Sequence, residues 1–439
     1  MLFDLKPFGV IHFIIGYRLW QGLAGLITAL LVVYFLSAEQ QGWYFTFMSL
    51  AALYSIFEMG LSLVVVQVIA KLFLDIRWDV CGEIIGRNRA QLLAILQSGL
   101  RVYFVLAGLF IVCSLIAGWW MFTNASNDAA EAVRWQLPWL GLVVLTASSM
   151  ILLFFWAILE GAGKLLEVYR LRLCLAVAGS VLCWLILSMG GFLWATLAIP
   201  LIGTIFGIGW MSLYQKKILT MARSHDRTAM NYWNREVWPL QWRVGIYWIS
   251  IFMMSQLVTP ILFLSQGAII AGQMGLSLTI AHMVGIIAQA WIARSVPDMT
   301  QAVARHDWSR LDTIFRRNFR NSIITFFAGT VAVAILYWAA GDWGFSKRLL
   351  PWQEMVGLMV FVLSYHLHNT WAAQLRSFHK EPLGGTFLVG AGLILLGSVM
   401  LVDRFSAAGA VIIMVVVQAI FILPTSWWIW RRCNQQWRH

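Results

Sequence analysis

The stretch from Gly42 to Ala70, GWYFTFMSLAALYSIFEMGLSLVVVQVIA, sets the terms for the whole chain. About 20 apolar residues span the hydrocarbon core of a bilayer, and this run is longer than that. It carries one formal charge, Glu58, near its middle. A carboxylate at that depth costs roughly 2.5–3.5 kcal/mol on insertion scales, so its presence needs a reason. Runs of this kind recur along the 439 residues, which are 61% hydrophobic and 11% charged, against about 25% charged in a soluble domain. Continuous apolar runs exclude a β-barrel, whose strands alternate over about ten residues. The class is an all-α polytopic membrane protein.

Twelve spans are expected, at 14–36, 43–69, 102–122, 137–159, 169–189, 192–213, 240–264, 268–293, 321–340, 352–375, 383–402 and 406–430. Only Met189-Gly190-Gly191 separates the fifth from the sixth, and two glycines can make that turn. With the N-terminus inside, the inner segments hold 27 Lys and Arg and the outer segments four: Arg134, Lys347, Arg348 and Arg404. This asymmetry places both termini in the cytoplasm. The same loops account for the net charge of +12 through topology and contact with anionic lipid headgroups, without nucleic acid. The first apolar run lacks a small-residue cleavage pattern and reads as a retained anchor. The five cysteines form no CxxC pair and suggest neither a metal nor a disulfide frame.

Two segments repeat at half-chain distance. Leu92-x-x-Ile95-Leu96-x-x-x-Leu100-Arg101 leads into the third span, and Leu311-x-x-Ile314-Phe315-x-x-x-Phe319-Arg320 leads into the ninth. Each reads as an amphipathic helix at the inner surface feeding the next span. Phe35-Leu36-Ser37 matches Phe263-Leu264-Ser265 at a similar offset. The chain therefore divides into two pseudo-symmetric six-helix lobes, 1–213 and 239–439, joined by a basic cytoplasmic linker at 214–238. The echo of Met59-Gly60-Leu61-Ser62 in Met274-Gly275-Leu276-Ser277 has a discordant offset and reads as coincidence.

Three segments carry a family resemblance. Ser37-Ala38-Glu39-Gln40-Gln41-Gly42-Trp43-Tyr44 with Phe57-Glu58-Met59-Gly60-Leu61 resembles an acidic–x–x–Gly–aromatic pattern followed by acidic–x–Gly–Leu in polysaccharide exporters. Trp238-Pro239-Leu240-Gln241-Trp242-Arg243 and Trp291-Ile292-Ala293-Arg294-Ser295-Val296-Pro297 extend the likeness. The chain thus resembles the polysaccharide (O-antigen-type) flippase branch of the multidrug/oligosaccharidyl-lipid/polysaccharide exporter superfamily. The resemblance implies a two-lobed transporter of the bacterial inner membrane, with spans one, two, seven and eight lining a central cavity. It also implies a polyprenyl-diphosphate-linked glycan as cargo, a cation gradient as driving force, and glycosyltransferase or polymerase enzymes as partners. Lipid II flippases of this superfamily carry several cavity arginines; here only Arg18 could match one, which argues against lipid II.

Glu58 and His282 lie at similar depth in the second and eighth spans, and are the candidates for coupling to H⁺ or Na⁺. Their plainer roles are a carboxyl bonded to a neighbouring helix and a satisfied core histidine. Arg18 and Arg243 sit just inside the cytoplasmic ends of the first and seventh spans. They are candidates for gripping a diphosphate, the alternative being snorkelling to headgroups. Gln67, Gln256 and Gln273 offer amides to sugar hydroxyls or to neighbouring helices. Pro260 removes a backbone bond and should bend the seventh span, as a gate or as a plain kink. His366 and His368, two apart on a helix, point to different sides, so a shared metal site is not expected. No resident cofactor is expected. A multidrug or cation antiporter on the same scaffold would want several cavity acids, and only Glu58 is clear. A membrane glycan polymerase or ligase would want a sizeable outer loop, and none exceeds about Thr123–Gln136.

Overall fold

The computed structural model describes residues 8–78, 84–86, 88–127, 133–216, 229–339, 344–378 and 380–438. Helices make up nearly all of it, as expected where lipid cannot satisfy the backbone and each segment must bond to itself. The exception is a two-stranded antiparallel ribbon, β1 (Ile76–Trp78) against β2 (Ile84–Gly86), which follows the second span in the chain. Among the described residues, ten helices are long and apolar enough to cross a membrane. Two differences reconcile ten with twelve. Trp352–Arg376 is a 25-residue helix made less apolar by His366, His368, Asn369 and Gln374. The stretch Gly384–Gln436 is two spans joined across Ser406, whose φ of 53° and ψ of −140° leave the helical region.

The first span is α1 (Phe8–Phe35). The second is not one helix but three pieces: α2 (Ala38–Ala51), α3 (Tyr54–Glu58) and α4 (Leu61–Leu72). The repeated amphipathic segments are not separate helices. Each forms the opening turns of an unbroken rod, α5 (Arg89–Asn127, 39 residues) and, in the second half, Trp308–Ala339 (32 residues). Their apolar positions are the buried ones: Leu92, Ile95 and Leu96 in the first rod, Leu311 and Phe315 in the second. The fifth span, Leu165–Ser188, ends where Gly190 takes a φ of 75°, and a short 3₁₀ turn at Phe192–Leu197 starts the sixth.

The chain forms two compact units. One comprises Met1–Phe35 with Phe47–Phe252; the other comprises Leu36–Thr46 with Met253–His439. These bounds differ from a division at 213 and 239 in two places, and the packing of each unit supplies the reason. In the first unit the opening of the seventh span, in Trp238–Ser255, lies against Met59 and Gly60. Its core runs from Val64, Val65 and Ile69 through Ile95 and Tyr103 to Phe154, Leu159 and Val237. In the second unit the opening turns of α2 lie against Ala268–Ala304, where a Cβ on Gly42 would collide with the Ala268 carbonyl. Close backbone approach through small residues is how membrane helices pack where lipid is as apolar as they are. Of the expected linker, residues 217–228 lie outside the described residues.

Candidate functional site

The interruption of the second span at Glu58 is the most chemically organised point of the first unit. Met59 (φ 47°, ψ 32°) and Gly60 (φ 70°, ψ 21°) are both left-handed. Glycine accepts that conformation without penalty, but methionine does not, so something must hold the break open. Glu58 does so from one side. Its Oε2 accepts the Gly60 N–H at 2.8 Å, and its Oε1 accepts the Ser62 N–H at 2.5 Å and the Tyr103 hydroxyl at 3.1 Å. The first two donors belong to the start of α4, where orphan amides and the helix dipole favour a negative group. Glu58 is 7% exposed and, among the described residues, forms no ion pair. Its cost in the membrane is offset by three hydrogen bonds.

The other side of the break is held by Gln241, at the start of the seventh span. Its Nε2 donates to the Met59 carbonyl at 3.0 Å and the Glu58 carbonyl at 3.4 Å. Gln241 is buried, and its Oε1 has no partner among the described residues. Around this contact the helices approach as closely as side chains allow. A Cβ on Gly60 would fall on the Trp248 indole, and one on Gly245 would come within 3.2 Å of the Met59 sulfur. Tyr103 and Gln241 were not legible as site residues, although the acidic–x–Gly spacing marks where a capped break can form. Met274–Ser277, the sequence echo of Met59–Ser62, lies inside the unbroken helix Ala268–Ala304, so the two segments share letters and not conformation.

The second unit has its own polar clasp at the N-terminal end of α2. Gln41 Nε2 donates to the carbonyls of Gly272 (2.9 Å) and Arg348 (3.0 Å), and Arg348 Nη2 donates to the Leu36 carbonyl at 2.8 Å. Arg348 stands in the loop before the tenth span, and burial lowers its guanidinium pKa from the ordinary value. Gln273, a candidate for sugar binding, gives its amide to the Lys347 carbonyl of that loop at 3.0 Å. His282 lies among aromatic rings, with Phe361 and Tyr365 each at 6.5 Å between centroids. His366 pairs with Ser322 at 3.1 Å, while His368 pairs with Ser426 at 2.8 Å and stacks on Phe387. The two rings thus face different helices.

The remaining candidates are more dispersed. Glu58 and Arg18 belong to the first unit and His282 to the second. Arg18 and Gln67 are exposed on α1 and α4, and the side chain of Arg243 lies outside the described residues. The seventh span is interrupted at Gln256 and Leu257, between Trp238–Ser255 and Val258–Gln266. Pro260 explains the position of that break: four residues on, it has no N–H for the Gln256 carbonyl, and its ring crowds that oxygen. Glu160, at the C-terminal end of the fourth span, is ion-paired with Arg172.

No family model matches this sequence, and neither does any curated protein. Solved structures do. The inward-facing conformation of a multidrug resistance MATE family transporter of the MOP superfamily superposes with a TM-score of 0.63 at 13% identity, over 94% of this chain and 96% of that one. A eukaryotic MATE transporter gives 0.53 at 13% identity, over 98% and 97%. A MOP superfamily transporter from Pyrococcus furiosus, described as having a binding pocket of reversed polarity that suggests a different function, gives 0.51 at 13%, over 98% and 96%. At these identities the likeness is one of fold. The chain is an all-α polytopic membrane protein with the fold of the MATE transporters of the MOP superfamily.

Proposed function

We propose that this protein is an alternating-access transporter that moves a polyprenyl-diphosphate-linked oligosaccharide or polysaccharide unit from the inner to the outer leaflet of the bacterial cytoplasmic membrane. The fold, shared with a MATE transporter solved in an inward-facing state, supports alternating access. The observation that carries the choice of an anionic cargo is the commitment of the deep acids. Glu58, the only buried carboxylate among the described residues, is spent on the helix break, and Glu160 is spent on Arg172. A carrier of organic cations needs several carboxylates open to its cargo, whereas ion coupling needs only one group that can take up and release the ion. The cationic side chains instead gather at the leaflet where a lipid diphosphate starts, 27 against four. There Arg18 and Arg243 offer the forked donors that suit phosphate oxygens.

In this reading both termini are cytoplasmic, and the protein moves its cargo without chemical change. Glycosyltransferases or polymerases act before and after it. A gradient of H⁺ or Na⁺ drives the cycle through Glu58 and His282, and Gln67, Gln256 and Gln273 meet the sugar hydroxyls. The test is reconstitution into liposomes with a fluorescent polyprenyl-diphosphate glycan, read by the fraction a membrane-impermeant quencher reaches, beside a parallel assay with a cationic dye. Protein-dependent flipping of the glycan lipid is expected, lowered at least about tenfold in the double variant Arg18→Glu, Arg243→Glu, the scale of two charge-assisted contacts. Dye transport with no glycan flipping would establish the multidrug antiporter in its place.

A further inference from the structure

We infer that Gln241 is a positioning residue that couples proton binding at Glu58 to the opening turns of the seventh span. The inference rests on the coupling role proposed for Glu58 and specifies how it would be relayed. Its basis is a competition for the same backbone groups. In a continuous helix the Ser62 N–H would donate to the Glu58 carbonyl, and the Leu63 N–H to the Met59 carbonyl. Here the Ser62 N–H goes to the Glu58 carboxylate, and both carbonyls are taken by the Gln241 amide. Leu63 turns to Gly60, with its N–H on that carbonyl at 3.1 Å. Two side chains therefore take up groups that these two helical bonds would have used.

A proton arriving from water on the carboxylate changes this balance. The carboxylate accepts three hydrogen bonds, two of them on Oε1. Once Oε1 carries the proton it becomes a donor. The Tyr103 hydroxyl can turn and accept that proton's hydrogen bond, but the Ser62 amide cannot reverse its role. The freed Ser62 N–H then has the Glu58 carbonyl four residues back as its nearest helical acceptor. Taking it displaces Gln241 and lets Met59 leave its left-handed conformation, relieving the strain a side chain meets there. Among the described residues, the side chains that reach Glu58 are neutral. Tyr54 is on its own segment, and Tyr103 on α5 is flanked by Phe154 of the fourth span. Gln241 and Trp248 come from the seventh span. The wound state is protonated with Gln241 released, and the broken state is ionised with Gln241 docked.

Linkage makes this testable without any cargo. Because Gln241 stabilises only the ionised state, removing it must raise the proton affinity of Glu58. The experiment is an infrared pH titration of the full-length protein in nanodiscs, following the protonated-carboxyl band that is absent from Glu58→Gln. Hydrogen exchange of the Trp238–Trp248 stretch is measured in the same samples and corrected for intrinsic rate. The expected result is a titration midpoint about one pH unit higher in Gln241→Leu, the tenfold that one hydrogen bond commands. A smaller rise in the same direction is expected in Gln241→Asn, which keeps the amide and shortens its reach. In the wild type the Trp238–Trp248 stretch exchanges faster in acid than in alkali, and in Glu58→Gln it is fast in both. A midpoint unmoved or lowered in a folded Gln241 variant overturns the inference, as does exchange in that stretch that ignores pH while Glu58 titrates. A failure of the glycan assay would leave these measurements untouched.

Discussion

At the scale of single residues, Gly60 tests whether the break is built or incidental. Gly60→Ala adds a methyl where the Trp248 indole already sits, and adds it at a φ of 70°. Gly163 has a φ of 81° with nothing within 4 Å of a Cβ, so Gly163→Ala isolates the backbone cost. The expected loss is about 1 kcal/mol at Gly163 and about 2–4 kcal/mol at Gly60. Thermal unfolding in detergent reads this as a clearly lower Tm for Gly60→Ala. Glu58 itself was conspicuous in the sequence because a charge in a long apolar run always is. What it bonds to was not, since Tyr103 is 45 residues away and Gln241 is 183 away. Nothing local distinguishes a tyrosine in a membrane helix that meets a carboxylate from one that meets lipid. The amides of Gln41 and Gln273 were equally mute, because a glutamine suits a sugar hydroxyl and a backbone carbonyl alike.

At the scale of elements, apolar periodicity and charge asymmetry made the helices legible, while their interruptions depended on tertiary partners. The second span reads as one helix from composition and is three pieces in the structure, and the break at Met59 and Gly60 is held by hydrogen bonds from the Glu58 carboxylate and from Gln241, which lies far off in the sequence. The seventh span is the opposite case: its break follows from Pro260 alone. Pro260→Ala restores the bond to the Gln256 carbonyl, and is expected to raise the Tm and to slow glycan-lipid flipping in liposomes, since a straighter helix resists bending. Flipping as fast as in the wild type would mark the kink as purely structural. The N-terminal end of α2 depends on Arg348. Arg348→Ala removes a charged donor from the Leu36 carbonyl, a loss of about 1.5–3 kcal/mol. Hydrogen exchange at Ser37–Gln41 should rise accordingly, with partial recovery in Arg348→Lys.

At the scale of the whole molecule, the arginine and lysine count commits to a topology. In a background stripped of the native cysteines, Arg404→Cys should react with a membrane-impermeant maleimide in intact cells, and Lys216→Cys only after permeabilisation. The reverse pattern would invert every span. The likeness to MATE structures fixes the fold across nearly the full chain at 13% identity, so the fold is carried by pattern and not by particular residues. Cargo and coupling depend on particular residues, which is why the proposals rest on Glu58, Gln241 and the uneven distribution of Lys and Arg along the chain.

The exchange of segments between the two units has a consequence for biosynthesis. Leu36–Thr46 leaves the ribosome early, yet its packing partners, Ala268, Gly272 and Arg348, are made more than two hundred residues later. The first unit likewise waits for Trp238–Phe252 to fill the face of Gly60. During translation the nascent first half therefore has an unfinished second span, with Gln41 and the orphan carbonyls at Glu58 and Met59 lacking their final partners. A gene cut at the linker would yield two fragments, each missing a piece encoded by the other. The second span thus gains its full set of packing partners only once the chain has been made as far as Arg348.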